Sequence, residues 1–131
     1  MILKRAGSVI IPEGMKPYPE SHEKELAEIL ARHFSADVEF LLPIGGYKTK
    51  TPDAVIMGVL WEFKSPIGNS KKSTIQAQFN GLKQSRNLVI DGRRTKLDDA
   101  LIQRQIQREI AEHKRVGRIL FVMKTAEIIE F

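Results

Sequence analysis

The sequence predicts a mixed α/β protein in which helices cover a central sheet. Segments with apolar residues at helical spacing alternate with short apolar runs of strand character. Their order is helix, strand, strand, strand, helix, strand, helix, strand, strand. A chain of 131 residues, 42% hydrophobic and 28% charged, has the size and composition of one folded domain rather than a disordered segment.

Residues 1–11 read as a first strand or arm, within an N-terminal arm that runs to residue 19. Pro12, Gly14, Pro17 and Pro19 break the chain into a loop. From Ser21 to Phe34 (SHEKELAEILARHF) a helix is expected, with Ser21 as N-cap and acids crowding the first turns. Residues 37–42 (DVEFLL) form a short strand, and 43–51 a loop that carries Lys48 and Lys50. The stretch Thr51–Ser65, TPDAVIMGVLWEFKS, makes two strands that turn at Met57-Gly58. Residues 71–86 make a second helix with Ile75, Phe79 and Leu82 on one stripe. Gly81 beside that stripe costs about 1 kcal/mol relative to Ala, which implies a packing reason. Residues 87–91 (NLVID) are a buried strand. A long amphipathic helix spans 97–115 with Leu101, Ile102, Ile106 and Ile110 inward, and 118–123 and 126–131 close the chain as strands.

The bulk properties exclude several classes. Without cysteine there are no disulfides and no thiolate metal sites. The longest apolar run, Ala54 to Trp61, is too short to span a bilayer. Lys4 and Arg5 interrupt the N-terminal apolar stretch, so no signal peptide and a cytoplasmic location are expected. The excess of 21 Lys+Arg over 16 Asp+Glu, net +5, permits a polyanionic partner without requiring one. His22, His33 and His113 fall on expected helices at no metal-ligand spacing, and Asp98-Asp99 reads as the solvated start of the third helix. No glycine-rich phosphate loop, nucleophile elbow or dinucleotide fingerprint is present.

The 51–65 stretch carries the chemistry. An apolar hairpin that begins with Asp53 and ends with Glu62 and Lys64 must solvate, pair or ligate those charges. Residues two apart on a strand share a face, so Glu62 and Lys64 point one way and Trp61 and Phe63 the other. A two-residue turn at Met57-Gly58 pairs Ile56 with Val59 and, further out, Asp53 with Glu62, about 5 Å apart at their β-carbons, and a four-residue turn keeps the same register. Two carboxylates so placed repel each other. Lys64 offsets part of the charge, and a hard divalent cation would offset more. Such a cation polarises a phosphodiester and acidifies bound water, while an ammonium stabilises developing negative charge. A solvated Glu62–Lys64 or Asp53–Lys64 ion pair is the plainer alternative.

Pro52-Asp53 followed by Glu62-Phe63-Lys64 resembles the PD-(D/E)xK nuclease signature, and the element order over residues 20–91 is similar to the restriction-endonuclease-like core. The longer phrase Trp61–Ser70, with Gln84–Asp91 beyond it, more closely resembles the tRNA nuclease branch of the C-terminal domains of contact-dependent growth-inhibition toxins. That resemblance covers about residues 15–123 and implies a core of about 20–123 with a central mixed sheet flanked by helices. It implies a metal-dependent endonuclease acting on nucleic acid, tRNA ahead of DNA. Asp53 and Glu62 would hold the metal with the Phe63 carbonyl as a further ligand; Mg2+ is expected, with Mn2+ and Zn2+ as alternatives. Lys64 would be the catalytic lysine. Such nucleases often add a helical acid, for which Glu23, Glu25 and Glu28 compete. Glu23 is preferred because it precedes Leu26, Ala27 and Leu30 by three, four and seven positions, although favouring the helix dipole would explain it equally.

Lys71 and Lys72 at the start of the second helix, Gln84 on its sheet-facing side and Arg86 beyond are the expected substrate contacts. Lys48, Lys50, Lys83, Arg93 and Arg94 add to the basic surroundings. A toxin relationship further implies a cognate immunity protein and delivery into a target cell's cytoplasm. With Met1 at its start and no delivery region, the chain reads as a free-standing relative or an excised toxin domain. The rival readings are a catalytically silent nucleic-acid-binding or assembly protein, and a structural subunit with a buried Glu62–Lys64 pair.

Overall fold

The computed structural model describes residues 7–43, 51–68 and 74–131. These hold seven strands, three α-helices and a 3₁₀ turn, a mixed α/β protein in two units, Met1–Leu60 and Trp61–Phe131.

In the first unit β1 (Val9–Ile10), α1 (Ser21–Phe34), β2 (Val38–Phe40) and β3 (Ala54–Ile56) follow one another. The N-cap of α1 is Glu20 rather than Ser21, with extended backbone at φ −72°, ψ 165°. Glu23 explains the shift. Its Oε1 accepts the Glu20 backbone N–H at 3.1 Å, and a side chain at N3 reaches back to the residue three before it. Leu26, Ala27, Leu30 and Ala31 make the buried stripe of α1, which packs on β1 and β2. β1 runs parallel to β2, and β2 antiparallel to β3. Val38 and Phe40 pair with Ile56 and Ala54, and all four are buried. After β3, Met57 and Gly58 both adopt positive φ, 48° and 76°. That is the backbone a two-residue type I′ turn requires, at the position expected from the sequence.

The chain divides within β4 (Val59–Lys64). The second unit continues with α2 (Ile75–Gln78), a 3₁₀ turn (Phe79–Lys83), β5 (Leu88–Asp91), α3 (Asp99–Glu112), β6 (Ile119–Val122) and β7 (Ile128–Glu130). Strands β4, β5 and β6 are parallel and β7 is antiparallel to β6, so this sheet is mixed. Its register aligns Glu62 with Leu88 and Ile119, and Lys64 with Ile90 and Phe121. Leu88, Ile90, Ile119 and Phe121 are covered by Ile75 and Phe79 and by Ile102 and Ile106 of α3, which form the core of this unit. Glu62 and Lys64 extend the same face in charged form.

The second helix differs from its expectation over 71–86. Its described part begins at Ile75, where the Thr74 hydroxyl caps it by accepting the Ala77 N–H at 3.2 Å. After one turn it tightens to 3₁₀, bringing Gly81 down onto the sheet. Helix α3 starts at Asp99 with Asp98 at the N-cap, as the solvated acids suggested. Asp99 also pairs with Lys124 at 3.4 Å. Leu101 and Ile110 are only half-buried, whereas Glu109 is buried with Ile102 and Ile106.

Candidate active site

Strand alternation puts Glu62 and Lys64 on one face of β4, and their side chains meet there. Lys64 Nζ lies 3.4 Å from Glu62 Oε2. The Glu62 side chain is 8% exposed and that of Lys64 27% exposed. A carboxylate so buried is costly without a compensating cation, which Lys64 supplies in part. Trp61, on the other face, is completely buried, as expected of the core side.

Gly81 explains how the helix above can come so close. A β-carbon there would stand 2.9 Å from Lys64 Cε, 3.0 Å from Glu62 Cγ and 2.9 Å from Leu88 Cδ2. The packing reason sought for this glycine is therefore the carboxylate–ammonium pair itself. Gln84 follows; its backbone N–H donates to the Gly81 carbonyl at 2.9 Å. Its Oε1 is buried and, among the described residues, accepts no hydrogen bond.

The other expected site residues stand as follows. Asp53 lies in the first unit, half-buried just before β3, and its carbonyl accepts the Leu41 N–H at 3.0 Å. Phe63 is half-buried and paired with Val89. Glu23 is gathered with Glu20 and His22, their ligand atoms all within 4.8 Å of one another, so His22 does stand among potential ligands despite its spacing. The cap accounts for that trio, since Glu20 and Glu23 must meet to close the helix end. Arg86 precedes β5, at the strand end opposite Lys64, and its Nε donates to the Arg115 carbonyl at 3.4 Å. Lys48, Lys50, Lys71 and Lys72 lie outside the described residues.

A buried network at the carboxyl ends of β4 and β5 was not foreseen. Asp91 is completely buried and takes Arg93 in a fork, Nε to Oδ1 at 2.9 Å and Nη2 to Oδ2 at 2.7 Å. The Arg93 N–H donates to Oδ1 at 3.1 Å and the Ser65 hydroxyl to Oδ2 at 3.3 Å. An acid ending an otherwise apolar buried strand, two residues before an arginine, was the available signal. Arg93 thus locks the loop after β5. On the far side of the sheet Arg118 stacks over Trp61, 5.3 Å from the ring centroid, and Glu130 raises its pKa by hydrogen bonding.

The described fold and the Glu62–Lys64 pair define an α/β domain with a charged strand face set beside an apolar core. The same overall fold occurs in a CdiA-CT/CdiI toxin and immunity complex from Burkholderia pseudomallei. There the TM-score is 0.65 at 21% identity, over 95% of this chain and 98% of that one. No curated protein matches by sequence. Residues 50–128 match the contact-dependent growth inhibition CdiA C-terminal domain family, and the chain belongs to that family. It is a contact-dependent growth-inhibition toxin domain.

Proposed function

We propose that this domain hydrolyses phosphodiester bonds in nucleic acid with the help of a divalent metal, tRNA ahead of DNA. The observation that carries the reading is the buried Glu62 carboxylate with the Lys64 ammonium 3.4 Å away on one strand face. The likeness of Pro52-Asp53 and Glu62-Phe63-Lys64 to the PD-(D/E)xK signature of restriction-endonuclease-like nucleases supports it, as does membership of a growth-inhibition family.

The donor set fits a hard cation. Asp53 and Glu62 offer carboxylate oxygens and Phe63 a carbonyl, which suits Mg2+, with Mn2+ or Zn2+ as alternatives. Glu23 is the helical acid proposed to join them. When bound, the ion supplies Lewis-acid charge at the phosphate and lowers the pKa of water. Lys64 orients the attacking oxygen and stabilises charge that develops on the phosphoryl oxygens. Gln84, whose buried Oε1 accepts no hydrogen bond among the described residues, contacts the substrate. Lys71 and Lys72 contact the phosphate backbone, and Arg86, at the strand end opposite Lys64, takes a further phosphate.

A toxin of this kind must be silenced in the cell that makes it, so a cognate immunity protein is the proposed protein partner and the cytoplasm of a contacted cell the site of action. The immunity protein in the Burkholderia pseudomallei complex supports that partner. Among the described residues no helix is long and apolar enough to cross a membrane.

Pure protein incubated with total tRNA or plasmid DNA, in Mg2+, Mn2+ or chelator, tests the activity. Cleavage is expected only with the divalent ion, and Asp53→Ala and Lys64→Ala should reduce it by about a hundredfold or more when assayed well below each variant's melting temperature. Undiminished cleavage in chelator removes the metal from the reading. No cleavage of either substrate leaves a nucleic-acid-binding protein.

A further inference from the structure

We infer that a cleft between α2, the 3₁₀ turn and the carboxyl end of α3 is a guanine-recognition site for the nucleic-acid substrate, which rests on the reading above. The cleft is about 520 Å³ and is lined by Gln76, Asn80, Arg108, Glu109, Glu112 and His113. Glu109 is the notable wall residue. It is only 6% exposed, yet among the described residues its polar partner is His113 Nε2 at 3.7 Å, beyond hydrogen-bond length. A buried carboxylate held so loosely has acceptor capacity to fill.

The surroundings suit a base. The His113 imidazole stacks on Phe79, with centroids 5.3 Å apart and planes at 23°. Phe79 is buried and the His113 side chain 37% exposed, so the imidazole is the accessible layer of an aromatic stack. Bases of unpaired RNA are recognised on such platforms and by their Watson–Crick edges. A second cleft, about 280 Å³, adjoins the first at Asn80, Glu112 and His113. It is lined by Lys83, Lys114 and Arg115, three cations placed to take phosphate.

The carboxylate selects among bases. An ionised carboxylate only accepts hydrogen bonds, two side by side. Guanine presents two adjacent donors, N1–H and the N2 amino group. Adenine and cytosine each set one amino group beside an acceptor nitrogen, and uracil flanks its single N–H with two carbonyls. Guanine therefore fills Glu109 without an acceptor facing it, while the Asn80 and Gln76 amides can donate to O6.

Binding of GMP, AMP, CMP and UMP to the whole chain, followed by NMR chemical-shift titration, tests this without any need for cleavage. GMP should bind at least about tenfold more tightly than the others, with shifts in α2 and α3. Glu109→Gln, which keeps the shape, should lose that preference, whereas Lys64→Ala and chelator should leave it. Equal binding of all four, no binding, or shifts remote from His113 overturns the site, as does tighter binding of N-acetylarginine amide, which would mark a pocket for a protein partner's arginine. Should Glu109→Gln fail to fold, the discrimination among the four nucleotides by the parent protein still decides. Guanine binding without nuclease activity would refute the cleavage reading alone, and cleavage without guanine preference the present inference alone.

Discussion

Gly81→Ala places a methyl group where the second helix meets the Glu62–Lys64 pair. The three atoms it would meet stand at 2.9, 3.0 and 2.9 Å, against the roughly 3.5–4.0 Å of ordinary carbon contacts. Each must therefore yield by about 0.5–1 Å. Lys64 Cε belongs to a flexible stem and can move. Leu88 Cδ2 cannot, since Leu88 is completely buried in close-packed surroundings. Overpacking of this kind costs about 1–3 kcal/mol, and the better helix propensity of Ala returns up to about 1 kcal/mol. Because Leu88 cannot yield, the cost falls in the upper part of that range, about 2–3 kcal/mol, and a net loss of about 1–2 kcal/mol follows, or about 3–6 °C of melting temperature for each kcal/mol in a chain of this size. Thermal melts of Gly81→Ala, Lys64→Ala and the double variant read the effect directly. Because Lys64→Ala removes one of the three obstructing atoms, the double variant should be less destabilised than the sum by about 0.5–1 kcal/mol. A Gly81→Ala protein that melts at or above the parent, with strictly additive variants, would show that the helix does not rest on these side chains.

Lys64→Met keeps the aliphatic stem and removes the charge that faces Glu62. The expected loss is about 1–3 kcal/mol, below the roughly 3–5 kcal/mol of a fully buried pair because water reaches Lys64 and screens it. A melt that is unchanged would mean that Glu62 tolerates burial without this cation. Arg93→Met should cost more, about 3–5 kcal/mol, because Asp91 is completely buried and would keep only the backbone N–H of position 93 and the Ser65 hydroxyl. Urea unfolding measures it, and a loss below about 1 kcal/mol would show that the fork is dispensable.

Much of this is written in the sequence. The order of helices and strands follows from the periods of the apolar residues, and those periods reflect local geometry that the backbone imposes everywhere. The place of the turn at Met57-Gly58 was legible, but not its type I′ form, because that form sets Met57 as well as Gly58 at positive φ. The pairing of Glu62 with Lys64 followed from strand alternation, which needs no knowledge of neighbours. Glu109 lies three residues from Ile106 and seven from Ile102, on the same stripe, but a carboxylate at such a position carries no apolar signal of burial.

The sequence by itself determined which residues could share a face; the tertiary structure decided which faces are covered, and by what. The described part of the second helix passes from one turn into a 3₁₀ segment that sets Gly81 against the Glu62 and Lys64 side chains, atoms some twenty residues away in the chain. Glu23 closes the helix cap, its Oε1 accepting the Glu20 N–H. Asp91 gained its arginine only when β5 ended in the interior, since a buried carboxylate takes whatever cation the loop can deliver. Local pattern follows from covalent geometry within a few residues. Burial and charge pairing depend on distances between elements, and those come into being only when the elements pack.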